Sequence, residues 1–230
     1  MGTDRTHVLL DLDGTLADSE PGIISSLKWA FAEEGFDPPT DAEARSVIGP
    51  PLELGLPSIG IPDDALVRVI ARYRERYEDT GLYEVSVYDG VIEMLEGLRD
   101  AGYVLAIATA KPERSATRVV DYLGLSDSFA VLAGATLTSE RRLKAQIIGH
   151  CLHQLGIPAE LPDLGDHVIM VGDREHDVGG ALRHRIPCIG VTWGYGSETE
   201  LLTAGAVVLA EHPNRVVDLV AAPYRFDDDR

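Results

Sequence analysis

The alternation of apolar and polar positions divides the chain into stretches of different periodicity. Val8-Leu9-Leu10 is a short apolar run stopped by the turn pair Asp13-Gly14, which predicts a buried strand. Over residues 21–34 the apolar positions Ile23, Ile24, Leu27 and Phe31 recur at helical spacing and stop at Gly35. Thr40 and Glu43 form a capping-box pair that opens a short helix through Val47. Gly49-Pro50-Pro51 then breaks the chain, residues 52–56 suit another turn, and residues 63–79 predict a long helix ended by Gly81. No strand pattern interrupts these helices, so residues 18–85 read as an all-helical insertion.

Beyond residue 86 the pattern alternates. Helices over 90–101, 113–123, 140–155, 178–183 and from Glu198 are interleaved with strands over 103–109, 129–133, 167–171, 187–192 and 206–210. Strands spaced by helices imply an α/β fold, a Rossmann-like parallel sheet covered on both faces. The expected organisation is a core domain of residues 1–17 and 86–230 and a helical cap domain of residues 18–85. Asp227-Asp228-Asp229-Arg230 reads as a frayed tail. Ligands of such sheets bind beyond the carboxyl ends of the strands.

The 230-residue length suits one large domain carrying a small inserted one. With no apolar run of membrane-spanning length and no signal-peptide pattern, the expectation is a soluble, cytoplasmic protein. A net charge of -18 argues against nucleic acid and anionic membrane as partners, since both need basic patches. Cys151 and Cys188 lie in apolar segments without metal or redox spacing and read as reduced core residues. Of the 20 basic residues only Lys28, Lys111 and Lys144 are lysines, so each invites a reason.

Asp11 and Asp13 close the first strand. Residues two apart in a strand face the same way, about 6–7 Å apart along the chain. Paired acids at the end of a buried strand repel unless a cation or proton offsets them, and a divalent metal is the natural candidate. Three further pieces follow in order: Thr109 after Ile107-Ala108, Lys144, and Gly172-Asp173 with Asp177 four residues on.

With Tyr88-Asp89-Gly90, Thr109-Ala110-Lys111-Pro112, Val171-Gly172-Asp173-Arg174 and Gly194-Tyr195-Gly196-Ser197, these motifs make the chain resemble the haloacid dehalogenase superfamily, in its phosphoglycolate phosphatase-like branch. The resemblance covers nearly the whole chain. It implies a Mg²⁺-dependent phosphomonoester hydrolase acting on a small phosphorylated metabolite. Asp11 would be the nucleophile that becomes an aspartyl phosphate, and Asp13 the general acid and base. Asp11, Asp173 and Asp177, with the backbone carbonyl of Asp13, would hold the metal. Thr109 and Lys144, with Ala110 beside them, would meet the phosphoryl oxygens, and N–H groups of the turn through Gly14 and Thr15 would add an anion nest. In the cap, Arg45 would meet a distal anion and Gly49 would bend a loop over the substrate.

Lys111 is compatible with a cleft position or a surface helix start, and His176 reads as exposed. The cap is expected to move at two crossings, 17–20 and 83–88. Phosphoglycolate is the leading substrate. Alternatives are a 5'-nucleotidase-type substrate, a phosphomutase, a phosphonate hydrolase using Lys28, and a non-catalytic regulator. A dehalogenase is disfavoured, because it would need neither Asp13 nor Asp173.

Overall fold

Val8 and Leu10 face one side of strand β1 (His7–Leu10) and Leu9 the other, and all three are buried, so this short strand has protein on both faces. The computed structural model describes residues 6–49, 52–136, 140–159, 161 and 164–224. Pro50, Pro51, part of the 134–139 loop and the tail from 227 therefore lie outside the described residues.

After β1 the chain turns into β2 (Ala17–Asp18) and runs through α1 (Glu20–Glu33), α2 (Asp41–Ser46), α3 (Leu52–Gly55) and α4 (Leu66–Asp79). It returns on β3 (Ser86–Val87), which pairs antiparallel with β2. Helix and strand then alternate through α5 (Val91–Asp100), β4 (Val104–Pro112), α6 (Glu113–Tyr122), β5 (Val131–Ala135), α7 (Lys144–Gln154), α8 (Leu164–His167) and β6 (Val168–Gly172). They continue through α9 (Glu175–Leu182), β7 (Cys188–Val191), α10 (Glu198–Ala204), β8 (Val208–Ala210) and α11 (Pro213–Val220).

Six parallel strands form the main sheet in the order β5-β4-β1-β6-β7-β8. The chain builds outward from β1 to β5, then crosses to the other side of β1 to lay down β6. β1 therefore sits where the strand order reverses, the position at which open α/β sheets bind ligands. Helices α7, α9 and α10 cover the face that carries Leu9, and both cysteines, free and buried, lie in that layer. Helices α5, α6 and α11 cover the face of Val8 and Leu10 in an apolar cluster that continues into α1 and α4 of the inserted segment.

The structure departs from the sequence pattern at several points. Helix α7 starts at Lys144 and not at Glu140. Arg141 folds back instead: the Thr136 N–H donates to its carbonyl at 2.8 Å, and its Nε donates to the Gly134 carbonyl at 2.8 Å. The Gln146 side chain then caps the helix by accepting from the N–H groups of Arg142 and Leu143. α11, buried through Val216 and Val220, and the β2–β3 ribbon have no counterpart in the sequence reading.

Where α1 passes the return of the chain, the two backbones touch. A Cβ on Gly22 would stand 2.0 Å from the Gly81 carbonyl oxygen. Gly22→Ala is accordingly expected to lower stability by about 1–3 kcal/mol through overpacking, read as a lower urea midpoint. An unchanged midpoint would show that the crossing yields easily.

Candidate active site

Asp11 follows β1 directly, its N–H donating to the Val171 carbonyl at 3.0 Å so that the β1–β6 pairing extends into the site. The Leu12 N–H donates to Asp11 Oδ1 at 2.8 Å. Asp173 follows β6, and Asp177 lies in the first turn of α9. Oxygens of Asp11, Asp173 and Asp177, all buried, lie within 4.8 Å of one another. Lys144, the first residue of α7, sets Nζ 2.9 Å from Asp11 Oδ1 and 2.6 Å from Asp177 Oδ1 and donates to the Ala108 carbonyl at 3.0 Å.

One ammonium does not neutralise three buried carboxylates. Burial, reinforced by Asp177 and Asp13, raises the Asp11 carboxyl to about 7 despite Lys144. Burial, with Asp177 and Asp11 nearby, also pushes Asp173 well above its usual range, against the Tyr195 N–H that donates to its Oδ2 at 2.8 Å. Burial acting alone would lower the Lys144 ammonium, but Asp11 and Asp177 hold it above its ordinary value. Asp177 Oδ1 has that ammonium beside it without hydrogen-bond alignment and accepts no hydrogen bond. An oxygen-rich, dry group with excess negative charge and an unsatisfied acceptor suits a hard divalent cation.

Asp13 turns elsewhere. Its Oδ1 accepts from Ser19 Oγ at 2.5 Å, and Lys111 Nζ reaches Oδ1 at 2.9 Å and Oδ2 at 3.1 Å. Lys111 is buried, so the surface alternative for this lysine falls, and it also donates to the Tyr77 hydroxyl of α4. A cleft of about 780 Å³ opens on these groups, lined on the sheet side by Asp11, Asp13, Thr109, Ala110, Lys111 and Lys144. The inserted helices supply Ile23, Val47, Ile48, Gly49, Leu52, Tyr73 and Tyr77 on the opposite side.

Some expected site residues are not brought to the cleft. Arg45 pairs with Glu20 through Nε and Nη2 in a separate surface groove, so it is a surface ion pair and not a cleft cation. Lys28 pairs there with Asp41, which removes the imine-forming role considered for it. The turn after β1 closes on itself: the N–H groups of Gly14 and Thr15 donate to the Ala17 and Leu12 carbonyls, and the Leu12 N–H is taken by Asp11. Three of the four N–H groups expected to form an anion nest, those of Leu12, Gly14 and Thr15, are thus taken within the turn. Gly14 instead has a positive φ of 84° and presses on the acid cluster, since a Cβ there would stand 2.2 Å from Asp173 Oδ2. Thr15 donates to Asp173 Oδ1 at 3.4 Å. His176 is exposed at the cleft edge.

Residues 8–191 match the family described as haloacid dehalogenase-like hydrolase. The chain belongs to that family. A 5'-nucleotidase of Pseudomonas aeruginosa is 39% identical over 85% of this chain and 86% of its own length. A phosphoglycolate phosphatase of Xanthomonas campestris is 31% identical, covering 94% of this chain and 96% of that protein. The tyrosine-protein kinase PtkA of Mycobacterium tuberculosis is 39% identical over 85% of this chain but 65% of its own length. Among solved structures, a predicted phosphatase from Clostridium acetobutylicum superimposes with a TM-score of 0.86 at 32% identity, covering 94% of this chain and 98% of that one.

This haloacid dehalogenase-like hydrolase is a phosphatase of the phosphoglycolate phosphatase-like branch. Among its described residues no helix is long and apolar enough to cross a membrane. Lys111, Ser19, Tyr77 and Tyr195 extend the set read from sequence. The scarcity of lysine pointed to Lys111, whereas Tyr77 sits at a buried position of an amphipathic helix and reads as plain core.

The raised carboxyls set a pH dependence. Asp11 titrates at about 7 in the folded chain against 3.8 for the ordinary group, so across that window the folded state binds more protons than the unfolded. Its contribution to stability therefore falls as pH rises, unless a cation replaces the proton. The rise in thermal midpoint produced by Mg²⁺ is expected to be large above pH 7 and to shrink steadily toward the acid end. Scanning fluorimetry with Mg²⁺ or EDTA checks this; an increment that grows on acidification contradicts it.

Proposed function

We propose that this phosphatase hydrolyses a phosphomonoester with Mg²⁺ through an aspartyl phosphate on Asp11, and that its substrate class is the nucleoside 5'-monophosphates. The observation that carries the chemistry is the convergence of Asp11, Asp13, Asp173, Asp177 and Lys144 at one end of the cleft. Asp11 Oδ attacks phosphorus while the ester P–O bond breaks, and the Asp13 carboxyl passes its proton to the leaving oxygen to release the alcohol. A water then attacks the same phosphorus and gives its proton to the Asp13 carboxylate, and the bond to Asp11 breaks to release phosphate. Lys144 and the Thr109 hydroxyl meet the phosphoryl oxygens. Mg²⁺, held by Asp11, Asp173 and the Asp13 carbonyl with Asp177 beside them, supplies charge neutralisation at the phosphoryl group when bound.

The substrate class rests on the cleft. A space of about 780 Å³ with an apolar and aromatic wall of Ile23, Val47, Ile48, Leu52, Tyr73 and Tyr77 suits a nucleoside better than the small, wholly polar glycolate. Arg45, the cap cation expected to meet a distal anion, pairs with Glu20 and is not among the residues that line the cleft. The 39% identical relative named 5'-nucleotidase agrees with this reading. The test is phosphate release from 5'-nucleotides, 2-phosphoglycolate and sugar phosphates, with Mg²⁺ or chelator. Nucleotides are expected to lead in kcat/KM by about tenfold or more, the scale of pocket discrimination, and EDTA to silence the enzyme. A preference for phosphoglycolate overturns the substrate, and activity in EDTA overturns the metal.

A further inference from the structure

The inserted helices touch the sheet side of the cleft through several polar contacts. Arg174 donates to the Ile48 carbonyl, Arg142 pairs with Glu53 at 2.7 Å, and Arg118 pairs with Glu78 at 2.6 Å. These contacts lie along the cleft walls and hold the two sides together. Tyr77 differs from them, because its contact ends on a residue bonded directly to Asp13.

Lys111 lies on β4 and Tyr77 on α4, 34 positions apart in sequence, and both are buried. The Lys111 ammonium has three N–H donors. Two reach the carboxylate oxygens of Asp13 and one the Tyr77 oxygen, so the protein saturates the group in a single geometry. Nζ also stands 5.0 Å from the centre of the Tyr77 ring, which adds a cation–π attraction from the same partner. Tyr77 is itself fixed, stacked on Tyr73 with ring centroids 5.2 Å apart and planes 13° apart. The phenol stays neutral, since burial and then the nearby Asp13 and Glu78 charges push its ionisation well above the ordinary value. A neutral phenol offers an acceptor and no charge, so it orients the lysine without competing for it as an acid would.

We infer that Tyr77, through Lys111, is a positioning residue for Asp13, so that the proton donor reaches its working place only when α4 lies against the sheet. The inference rests on the role proposed for Asp13. In the step concerned, the Asp11 Oδ–phosphorus bond forms, the bond from phosphorus to the leaving oxygen breaks, and the Asp13 proton moves to that oxygen. Lys111 faces the carboxylate that remains. A leaving group that is stable as an anion has no need of the proton, and this separates the inference from a general role in packing.

Tyr77→Phe keeps the ring and its stacking and removes the oxygen that Lys111 meets. With benzyl phosphate, whose leaving group is an alkoxide, its kcat/KM is expected to fall by about 10–100-fold relative to that with 4-nitrophenyl phosphate, part of the roughly 10²–10⁴-fold that general acid catalysis supplies. 4-Nitrophenyl phosphate presents a ring of similar size to the same wall but leaves as a stable anion, so it shares any loss of binding, and the ratio of the two kcat/KM values isolates the proton contribution. Lys111→Met should show the same selectivity more strongly, and thermal midpoints of both variants establish that they are folded. Equal loss on both substrates, or no loss on either, overturns the inference. Asp13→Asn run alongside separates the two readings. If Asp13→Asn is selective and Tyr77→Phe is not, the coupling alone fails; if Asp13→Asn shows no selectivity, the acid role fails and the coupling with it.

Discussion

Asp11→Asn is expected to remove Mg²⁺-dependent phosphate release by on the order of 10⁴-fold or more, the scale of losing a nucleophile. The amide keeps the shape of the carboxylate and can still accept the Leu12 N–H, so the end of β1 stays in place. It cannot carry a phosphoryl group. The amide also removes one of the three crowded charges, so the variant should be no less stable than the parent when no cation is added. Two measurements check the assignment: steady-state phosphate release, and mass analysis of acid-quenched enzyme for a phosphoryl group on the peptide that contains Asp11. A phosphorylated peptide from elsewhere in the chain, or a variant that retains even a hundredth of the rate, would move the nucleophile to another residue.

Lys144→Met is expected to damage stability and rate together. The ammonium is buried between Asp11 and Asp177, and taking one partner from a buried pair costs about 3–5 kcal/mol because the remaining charge has nowhere to go. Methionine replaces most of the aliphatic stem, which packs close to Gly180, so lost charge dominates over lost volume. Added Mg²⁺ should recover part of the stability by supplying positive charge to the same carboxylates. The rate should stay about 10²–10³-fold down, since a cation that meets the phosphoryl oxygens is missing. Denaturant unfolding with and without Mg²⁺, beside phosphate release, reads both effects. Wild-type stability in the variant would mean that Lys144 is not what neutralises Asp11 and Asp177.

The parts of the fold legible in sequence were those with a strong period or a sharp stop. Val8 to Leu10 followed by Asp11 marked the central strand because an apolar run ending in acids is unusual. Thr40 and Glu43 marked α2 because the capping box is a local device, and the structure contains both of its hydrogen bonds. What stayed hidden depends on distant partners. The β2–β3 ribbon pairs residues some seventy positions apart in strands too short to show alternation. The start of α7 moved to Lys144 because Arg141 found acceptors in Gly134 and Glu113, which no local pattern announces. In the site, order along the chain grouped Asp11, Asp13, Thr109, Lys144, Asp173 and Asp177, and the structure brings Asp11, Asp173, Asp177 and Lys144 together, with Asp13 and Thr109 lining the same cleft. Arg45 was misread because helical spacing does not tell which way a surface side chain leans, and Glu20 decided it. Gly14 and Thr15 were misread because the turn that would expose their N–H groups satisfies them internally.

The β2–β3 ribbon has a consequence for how such a protein changes its substrate. Ala17 and Val87 are direct partners across an antiparallel pair, so the chain leaves the sheet and comes back at almost one point, roughly 5 Å apart. Everything between them behaves as a cassette. It contributes Ile23, Val47, Ile48, Leu52, Tyr73 and Tyr77 to the wall of the cleft, whereas Asp11, Asp173, Asp177 and Lys144 come from outside it. One continuous stretch can thus be exchanged for another of different length, spliced at adjacent ends, without disturbing the order of the strands, provided the new stretch also meets Lys111 and Asp13 as Tyr77 and Ser19 do. Most of the wall can change in such a chain while the strand order stays, with Tyr77 and Ser19 as the two points where the cassette meets the reacting end.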